Sequence, residues 1–164
     1  MPEEEDLHMI NVLMICHGNI CRSTMAEMVL KHLVRQRNIA ELFYIDSAAT
    51  SREEIGNGVH YGTRRKLAEV GIPCEDHRAK QVTKKDYDKF DYLIVMDTNN
   101  VRNLNRIIGS DPDCKVYTLL DFTERQGASI ADPWYTGNFD ETYRDVLEGC
   151  EGFLNYLSEN GKLY

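Results

Sequence analysis

A cysteine and an arginine stand six residues apart where an apolar run gives way to helix formers. The stretch NVLMICHGNICRSTMAE, residues 11–27, places Cys16 at the end of that run and Arg22 where a helix should begin. A loop before a helix N-terminus aims several backbone N–H groups at one point, where they bind an anion, phosphate above all. Such surroundings favour the nucleophilic thiolate form of a cysteine. The planar guanidinium of Arg22 can grip two phosphate oxygens at once.

The loop itself suits a tight anion-binding turn. Gly18 lets the backbone approach closely, and Asn19 is one of the few residue types that tolerate left-handed dihedrals. The hydroxyl of Ser23 can donate to the sulfur and stabilise it as a leaving group. These parts predict attack of sulfur on phosphorus and a cysteinyl-phosphate intermediate. The expected phosphate ligands are the backbone N–H groups of His17, Gly18, Asn19, Ile20, Cys21 and Arg22.

Short apolar runs alternate with segments of helical spacing along the chain. Strands are expected at Ile10 to Ile15, Leu42 to Asp46, Tyr92 to Met96 and Val116 to Leu120. Helices are expected at Ser23 to Arg37, Val59 to Val70, Val82 to Tyr87, Thr98 (as N-cap) to Ile108 and Asp140 to Asn160, with a long loop from Asp121 to Asn138. This alternation predicts an α/β fold, a three-layer open parallel sheet of about four strands with helices on both faces. Ligands bind such sheets at the carboxyl ends of the strands, where Cys16 lies.

Composition and charge narrow the class of protein. The 164 residues fit one domain, 1–164, in which the acidic stretch 1–8 is expected to be a flexible head. A formal net charge of -8 argues against general nucleic-acid binding. No apolar run approaches the roughly 20 residues of a membrane span, and no signal segment follows the head. The cysteines are odd in number, five in all, and widely spaced, which argues against a set of disulfides. This favours free thiols in the cytoplasm.

Four stretches together resemble the low-molecular-weight protein tyrosine phosphatases. They are CHGNICRS at residue 16, DSAAT at residue 46, FDYLIVMD at residue 90 and DPWY at residue 132, and the match runs from about Met9 to Leu157. The resemblance implies the flavodoxin-like or Rossmann-like fold of the phosphotyrosine phosphatase I type. It also implies hydrolysis of phosphotyrosine proteins or small aryl phosphates with no cofactor and no metal. A monomer or weak homodimer, with no nucleic-acid or membrane partner, is expected.

The resemblance also implies roles that spacing leaves open. By sequence alone, Asp132 is better explained as a turn-forming Asp-Pro residue; in the family the matching Asp is the general acid and then the base that activates water. Trp134 and Tyr135 either pack the loop onto the core or wall the slot for a phosphotyrosine ring. Cys21 is either a small apolar filler or a partner that traps oxidised Cys16 as a disulfide.

The remaining candidate residues either support the loop or depart from the family pattern. By resemblance Ser47 is expected to bond the side chain of Asn19, the alternative being an ordinary serine at a strand end. His77 and Asp97 match a structural pair. His17 stands where relatives carry an apolar or small residue. Glu53 and Glu54 fall at the expected pocket rim, where two carboxylates would repel acidic flanking sequence.

Three other functions remain as alternatives. An arsenate reductase of the same fold needs two further cysteines close together, whereas Cys74, Cys114 and Cys150 are far apart in sequence. A protein-arginine phosphatase resembles this chain too, but such relatives carry Thr where this chain has Ile20. A catalytically silent phosphoprotein-binding module would be expected to lack the nucleophile or the acid, and both are present.

Overall fold

Four short apolar segments form one parallel sheet. The computed structural model describes residues 9–163, so the expected flexible head at 1–8 lies outside the described residues. The strand order is β2-β1-β3-β4, and every pairing is parallel. The strands are β1 (Ile10–Cys16), β2 (Phe43–Ala49), β3 (Tyr92–Val95) and β4 (Val116–Thr118). The predicted four-stranded parallel α/β sheet is confirmed.

Six α-helices are present among residues 9–163. They are α1 (Arg22–Gln36), α2 (Tyr61–Glu69), α3 (Lys84–Lys89), α4 (Thr98–Ile108), α5 (Pro133–Thr136) and α6 (Phe139–Glu159). Two short 3₁₀ helices precede β2 and follow β4, at Ala40–Leu42 and Leu119–Phe122. None of the helices at residues 9–163 combines the length and apolarity needed to cross a lipid bilayer.

The central strand β1 supplies two separate hydrophobic clusters, one on each face of the sheet. Successive side chains of a strand point to opposite faces. Val12 and Met14 accordingly join the larger cluster with residues of α1 and α6. Leu13 and Ile15 join a second cluster with residues of α3 and α4. Burial on both faces explains why β1 is a continuous apolar run, and it confirms the three-layer arrangement.

The strand order reverses between β1 and β3, and that reversal positions the site. The chain leaves β1 to pair β2 on one side, then returns to place β3 on the other side of β1. A crevice opens at the carboxyl ends of two such strands, because their following loops turn to opposite faces. Cys16 ends β1, and Asp97 follows β3 by two residues.

Some predicted boundaries were wrong for local reasons. β2 extends to Ala49 because Ser47, Ala48 and Ala49 pair with Met14 to Cys16 of β1. The N-cap of α4 is Asp97 and not Thr98, since the Asp97 side chain accepts a hydrogen bond from the backbone of Asn100. β4 is shorter than expected, ending at Thr118. The long loop contains the one-turn helix α5, which begins at Pro133.

Candidate active site

The loop that joins β1 to α1, residues 16–22, is called the phosphate loop. Its carbonyl groups are bonded outward to the scaffold. The carbonyl of Cys16 accepts from Thr50 N at 2.9 Å, and that of Ile20 accepts from His60 N at 2.8 Å. Thr63 Oγ1 donates to the Cys21 carbonyl at 3.2 Å. Fixing these carbonyls on the scaffold turns the loop N–H groups towards its centre, as an anion site requires.

The sulfur of Cys16 lies in that centre. It accepts hydrogen bonds from the backbone N–H groups of Asn19 at 3.3 Å and Ser23 at 3.4 Å. Ser23 Oγ lies 3.1 Å from the sulfur. Asn19 Nδ2 donates to that same oxygen at 2.9 Å, so the Ser23 hydroxyl proton is free to point at the sulfur. Two N–H donors, joined by the Ser23 hydroxyl once the sulfur is a thiolate, thus converge on one sulfur, which stabilises a negative charge there.

Asn19 holds the loop in its strained conformation. Its φ angle is 60°, which confirms the predicted left-handed backbone. The side chain is fully buried. Nδ2 donates to Ser47 Oγ at 2.9 Å, which confirms the predicted contact, and Oδ1 accepts from Lys80 N at 3.2 Å. Because the side-chain partners Ser47, His77 and Lys80 lie outside the loop, the rest of the protein enforces a backbone conformation that most residues avoid.

Arg22 is buried at the first position of α1, with its side chain 3% exposed. Nη1 donates to Asp97 Oδ2 at 2.7 Å and to the Ile130 carbonyl at 2.9 Å. Nε is buried and has no hydrogen-bond partner among the described residues. Burial works against the charged form, but Cys16, Asp97 and Asp132 outweigh it and hold the pKa of Arg22 above its ordinary value.

Asp132 faces Arg22 from the far side of the cleft. Its Oδ2 lies 3.5 Å from Arg22 Nη2. Its Oδ1 accepts from Trp134 N at 3.0 Å, which caps α5 and fixes the carboxylate relative to the helix. Pro133 suits the first position of that helix, because its missing N–H would be unpaired there anyway. Cys16, Asp132, Trp134 and Tyr135 line the same cleft.

Comparison with known proteins decides the family. The family model for low molecular weight phosphotyrosine protein phosphatase matches residues 11–163. The chain belongs to this family. The low molecular weight protein-tyrosine-phosphatase YfkJ of Bacillus subtilis is 38% identical over 156 residues, which is 94% of this chain and 100% of that protein. The human low molecular weight phosphotyrosine protein phosphatase is 40% identical over 148 residues, 88% of this chain and 93% of that protein.

Solved structures of the phosphatase family share the fold. The crystal structure of YfkJ from Bacillus subtilis superposes with a TM-score of 0.88 at 37% identity, covering 93% of this chain and 96% of that one. The structure of DARP, a drosophila arginine phosphatase, superposes with a TM-score of 0.80 at 32% identity, covering 88% of this chain and 96% of that one.

Behind the phosphate loop of this phosphatase lies a network that the sequence analysis assigned incorrectly. His77 does not pair with Asp97, which is bonded to Arg22 instead. His77 Nε2 lies 2.8 Å from Asn19 Oδ1, and Ser47 Oγ donates to the buried carboxylate of Glu27 at 2.5 Å. The predicted His77–Asp97 pair was wrong because His77 contacts Asn19 in the middle of the loop, whereas Asp97 binds Arg22 at its end.

Glu27, Asp46 and His77 form the one group within residues 9–163 whose residue types and spacing could hold a metal ion, with ligand atoms within 4.8 Å of one another. Both carboxylates already have cationic partners. Lys31 Nζ donates to Glu27 at 2.7 Å, and Lys80 Nζ pairs with Asp46. These lysines supply the positive charge that a metal would otherwise bring, so the group reads as an ion-pair network supporting the loop.

The rim of the cleft carries a histidine and two carboxylates. His17 and Glu53 lie at the mouth, with His17 Nε2 3.1 Å from Glu53 Oε2. Their side chains are 44% and 68% exposed. Glu54 also lines the cleft, so His17, Glu53 and Glu54 all occupy the predicted rim.

Cys21 also lines the cleft and is 4% exposed. Burial, reinforced by the charge of Cys16, raises the pKa of the Cys21 thiol to about 12. The thiol therefore stays protonated at neutral pH. Cys16 and Cys21 are both free cysteines here.

Two further residues that lie beside the site were not predicted from the sequence. Glu27 is one; its position four residues after Ser23 on α1 signals a shared helix face. His60 is the other. Its ring packs against Trp134 and Phe139, and no local pattern marks it for that role.

Proposed function

We propose that this protein hydrolyses phosphotyrosine in proteins, and small aryl phosphates, through a cysteinyl-phosphate intermediate. The observation that carries the proposal is an unpaired N–H donor on a buried arginine. Arg22 Nη1 is held by Asp97 and Ile130, whereas its buried Nε has no partner among residues 9–163. A buried donor without a partner is costly, and a phosphate oxygen would satisfy it. The nucleophile Cys16 lies beside it in the same loop.

The first step forms the intermediate. The thiolate of Cys16 bonds to phosphorus while the bond from phosphorus to the phenolic oxygen breaks. Charge on the equatorial oxygens faces Arg22 and the N–H groups of residues 17–22, which are arranged before the reaction begins. Asp132 gives its proton to the departing oxygen, so the product is a neutral phenol.

The second step restores the enzyme. The Asp132 carboxylate takes a proton from water as the water oxygen bonds to phosphorus. The sulfur–phosphorus bond breaks, and its electron pair returns to Cys16. Ser23, whose hydroxyl lies 3.1 Å from the sulfur, stabilises the thiolate as it leaves. Inorganic phosphate is the second product.

The walls of the cleft support an aromatic substrate. Trp134 and Tyr135 line one side and are 56% and 83% exposed, so their ring faces are available for stacking on a phenyl group. Glu53 and Glu54 place two carboxylates at the mouth. These charges disfavour acidic residues next to the phosphotyrosine.

No observation favours the alternatives equally. Ile20 lines the cleft where the resemblance gives arginine phosphatases a Thr, although a drosophila arginine phosphatase is similar in fold. A thiol relay of the arsenate reductase kind is not supported, since Cys150 is fully buried in α6 and Cys114 is exposed before β4. Cys16 and Asp132 line one cleft, and Arg22 is buried beside Asp132, which argues against a silent binding module.

Two further expectations belong to the same proposal. Cys21 is proposed to form a reversible disulfide with oxidised Cys16, and the activity is proposed to reside in the cytoplasm. Free thiols at Cys16, Cys21, Cys74, Cys114 and Cys150 support a reducing compartment.

Hydrolysis of para-nitrophenyl phosphate and of a phosphotyrosine peptide in EDTA tests the function. Cys16→Ser should abolish turnover, by on the order of 10⁴-fold or more, and still bind inorganic phosphate. Cys114→Ser, a change at an exposed thiol, is the matched control and should keep full activity. Normal turnover by Cys16→Ser would refute the mechanism. If the protein hydrolysed only a phosphoarginine peptide, the substrate class would be phosphoarginine and not phosphotyrosine.

A further inference from the structure

We propose that His60 is a positioning residue that fixes Asp132 relative to the phosphate loop. This inference rests on the proposed function, because it assigns His60 to the placement of the general acid. The acid turn is here residues 132–136, comprising Asp132 and α5. His60 precedes α2 and contacts both the phosphate loop and the acid turn, which are otherwise far apart in sequence.

The backbone of His60 is tied to the phosphate loop. Its N–H donates to the Ile20 carbonyl at 2.8 Å. Thr63, in the first turn of α2, donates from Oγ1 to the Cys21 carbonyl at 3.2 Å. Two hydrogen bonds thus connect the start of α2 to consecutive residues of the loop. The side chain at position 60 therefore has a fixed position relative to the loop that holds Cys16.

The ring of His60 has a fixed orientation. Its Nδ1 accepts a hydrogen bond from Gly62 N at 2.9 Å, which makes His60 the N-cap of α2. An accepting Nδ1 carries no proton, so the ring proton is on Nε2. The cap hydrogen bond therefore restrains the orientation of the ring.

The same ring packs against the acid turn and the start of α6. It stacks on Phe139 with ring centroids 5.5 Å apart and an interplanar angle of 17°. It meets Trp134 edge-on at 5.6 Å and 73°. A Cβ atom at Gly62 would lie 2.2 Å from Phe139 Cζ, so only glycine allows α2 to approach this closely. The packing therefore depends on both the residue at 60 and the residue at 62.

Trp134 transmits the contact to the acid. Its backbone N–H donates to Asp132 Oδ1 at 3.0 Å, while its ring meets His60. Trp134 is 56% exposed, and the His60 ring is the aromatic side chain that meets its ring. Removing the ring should let α5 move and carry the Asp132 carboxylate away from the departing oxygen. The phosphate loop itself would keep its shape, since its bonds to His60 and Thr63 use the His60 backbone and the Thr63 side chain.

Two substitutions separate the ring contact from the helix cap. His60→Asn keeps a side-chain acceptor at the N-cap and removes the ring. His60→Phe keeps a ring and removes the acceptor. His32→Asn, in the second half of α1, is the control for loss of a histidine elsewhere. Trp134 is the sole tryptophan of the sequence, so its fluorescence reports the acid turn directly.

The first measurement is acrylamide quenching of Trp134 fluorescence, with circular dichroism to verify folding. Quenching should increase in His60→Asn and stay near the wild-type value in His60→Phe and His32→Asn. The second is kcat/KM for aryl phosphates with leaving groups of increasing pKa. His60→Asn should lose about tenfold on the poorest leaving group and little on para-nitrophenyl phosphate, and its competitive inhibition by inorganic phosphate should not change.

The outcomes distinguish this inference from the proposed function. Wild-type activity that survives Cys16→Ser would overturn both. If activity does depend on Cys16, two results in His60→Asn would overturn the role of His60 and leave the proposed function intact. These are unchanged quenching of Trp134 and an equal loss of kcat/KM across all leaving groups. If His60→Asn does not fold, a double-mutant cycle of His60→Ser and Trp134→Ala, each of which removes one ring of the contact, tests it by non-additive losses of kcat/KM, and additive losses would overturn it.

Discussion

Arg22 Nη1 donates to Asp97 Oδ2 at 2.7 Å, and this ion pair joins the two central strands of the sheet at the reversal of strand order. Arg22 begins α1 directly after the phosphate loop, and Asp97 follows β3. The pair leaves Nε of Arg22 without a partner among the described residues. Asp97 therefore orients the guanidinium and does not compete for the edge that would hold phosphate.

Asp97→Ala should be strongly destabilising. It leaves the buried charge of Arg22 with less compensation and removes the N-cap of α4, so we expect the free energy of unfolding to fall by about 2–4 kcal/mol. Asp97→Asn keeps a capping side chain and should cost less. Urea unfolding measures both, with exposed Asp88→Ala as control. Phosphate should restore part of the loss. Equal effects of Asp97→Ala and Asp88→Ala would contradict this account.

Asn19 allows backbone strain to be separated from hydrogen bonding. Asn19→Gly retains a residue suited to φ 60° but loses the side-chain bonds to Ser23, Ser47 and Lys80. Asn19→Ala loses both, and should be less stable than Asn19→Gly by about 1 kcal/mol. Both should lower kcat/KM.

Asn38 is the matched control for Asn19. It has a φ of 59° and is exposed. Asn38→Gly and Asn38→Ala should reproduce the stability difference between glycine and alanine with no change in kcat/KM. A loss of activity at Asn38, or none at Asn19, would argue against the side-chain bonds as the functional feature.

Asp132→Asn should impair substrates according to their leaving groups. The amide still accepts from Trp134 N and preserves the cap of α5, but it cannot supply the proton. We expect kcat/KM to fall by about 10²–10³-fold for phenols of high pKa and much less for para-nitrophenol. A plot of log kcat/KM against leaving-group pKa measures this, with exposed Asp113→Asn as control. Parallel lines for wild type and variant would exclude Asp132 as the acid.

Glu53→Gln should change peptide preference without changing chemistry. It removes one negative charge from the rim and releases His17, whose Nε2 lies 3.1 Å from Glu53. For a phosphotyrosine peptide with acidic flanks, kcat/KM should rise by about two- to threefold at low salt. The gain should shrink as salt screens the charge. Para-nitrophenyl phosphate and exposed Glu41→Gln are the controls, and a salt-independent gain would point to a cause other than charge.

Cys21 should react only as the pH rises well above neutrality. Burial and the charge of Cys16 raise the pKa of its thiol to about 12, so below that pH the unreactive protonated form dominates. In Cys16→Ser, alkylation by iodoacetamide at pH 7.5 should modify exposed Cys114 and spare Cys21. Mass spectrometry of the labelled peptides measures both sites. Labelling of Cys21 as fast as Cys114 would contradict the effect of burial.

Oxidation of Cys16 is expected to make Cys21 reactive towards it. Peroxide converts Cys16 to the sulfenic acid, which removes the thiolate charge that helps hold the Cys21 thiol protonated. Attack by Cys21 sulfur then forms the disulfide and releases water. After peroxide, dithiothreitol should restore activity to the wild type more fully than to Cys21→Ser. Equal recovery would leave Cys21 as a packing residue.

The sequence by itself determined the features that depend on near neighbours. Cys16, Asn19, Arg22 and Ser23 lie within one strand–loop–helix connection, so their relation follows from local geometry and hydrogen bonding. The alternation of apolar runs with helical segments determined the parallel sheet, because buried central strands need apolar residues on both faces. Asp132 needed the family resemblance, since an Asp-Pro pair alone indicates only a turn.

Only the tertiary structure decided which distant residues meet. Arg22 and Asp97 are 75 positions apart, and Asn19 and His77 are 58 apart. The predicted pairing of His77 with Asp97 was wrong because no periodicity records which strand end faces which loop. The contact of His60 with Trp134 was invisible for the same reason: it arises where α2 and the acid turn pack together. Long-range packing chooses these partners, and the local pattern of the chain carries no information about them.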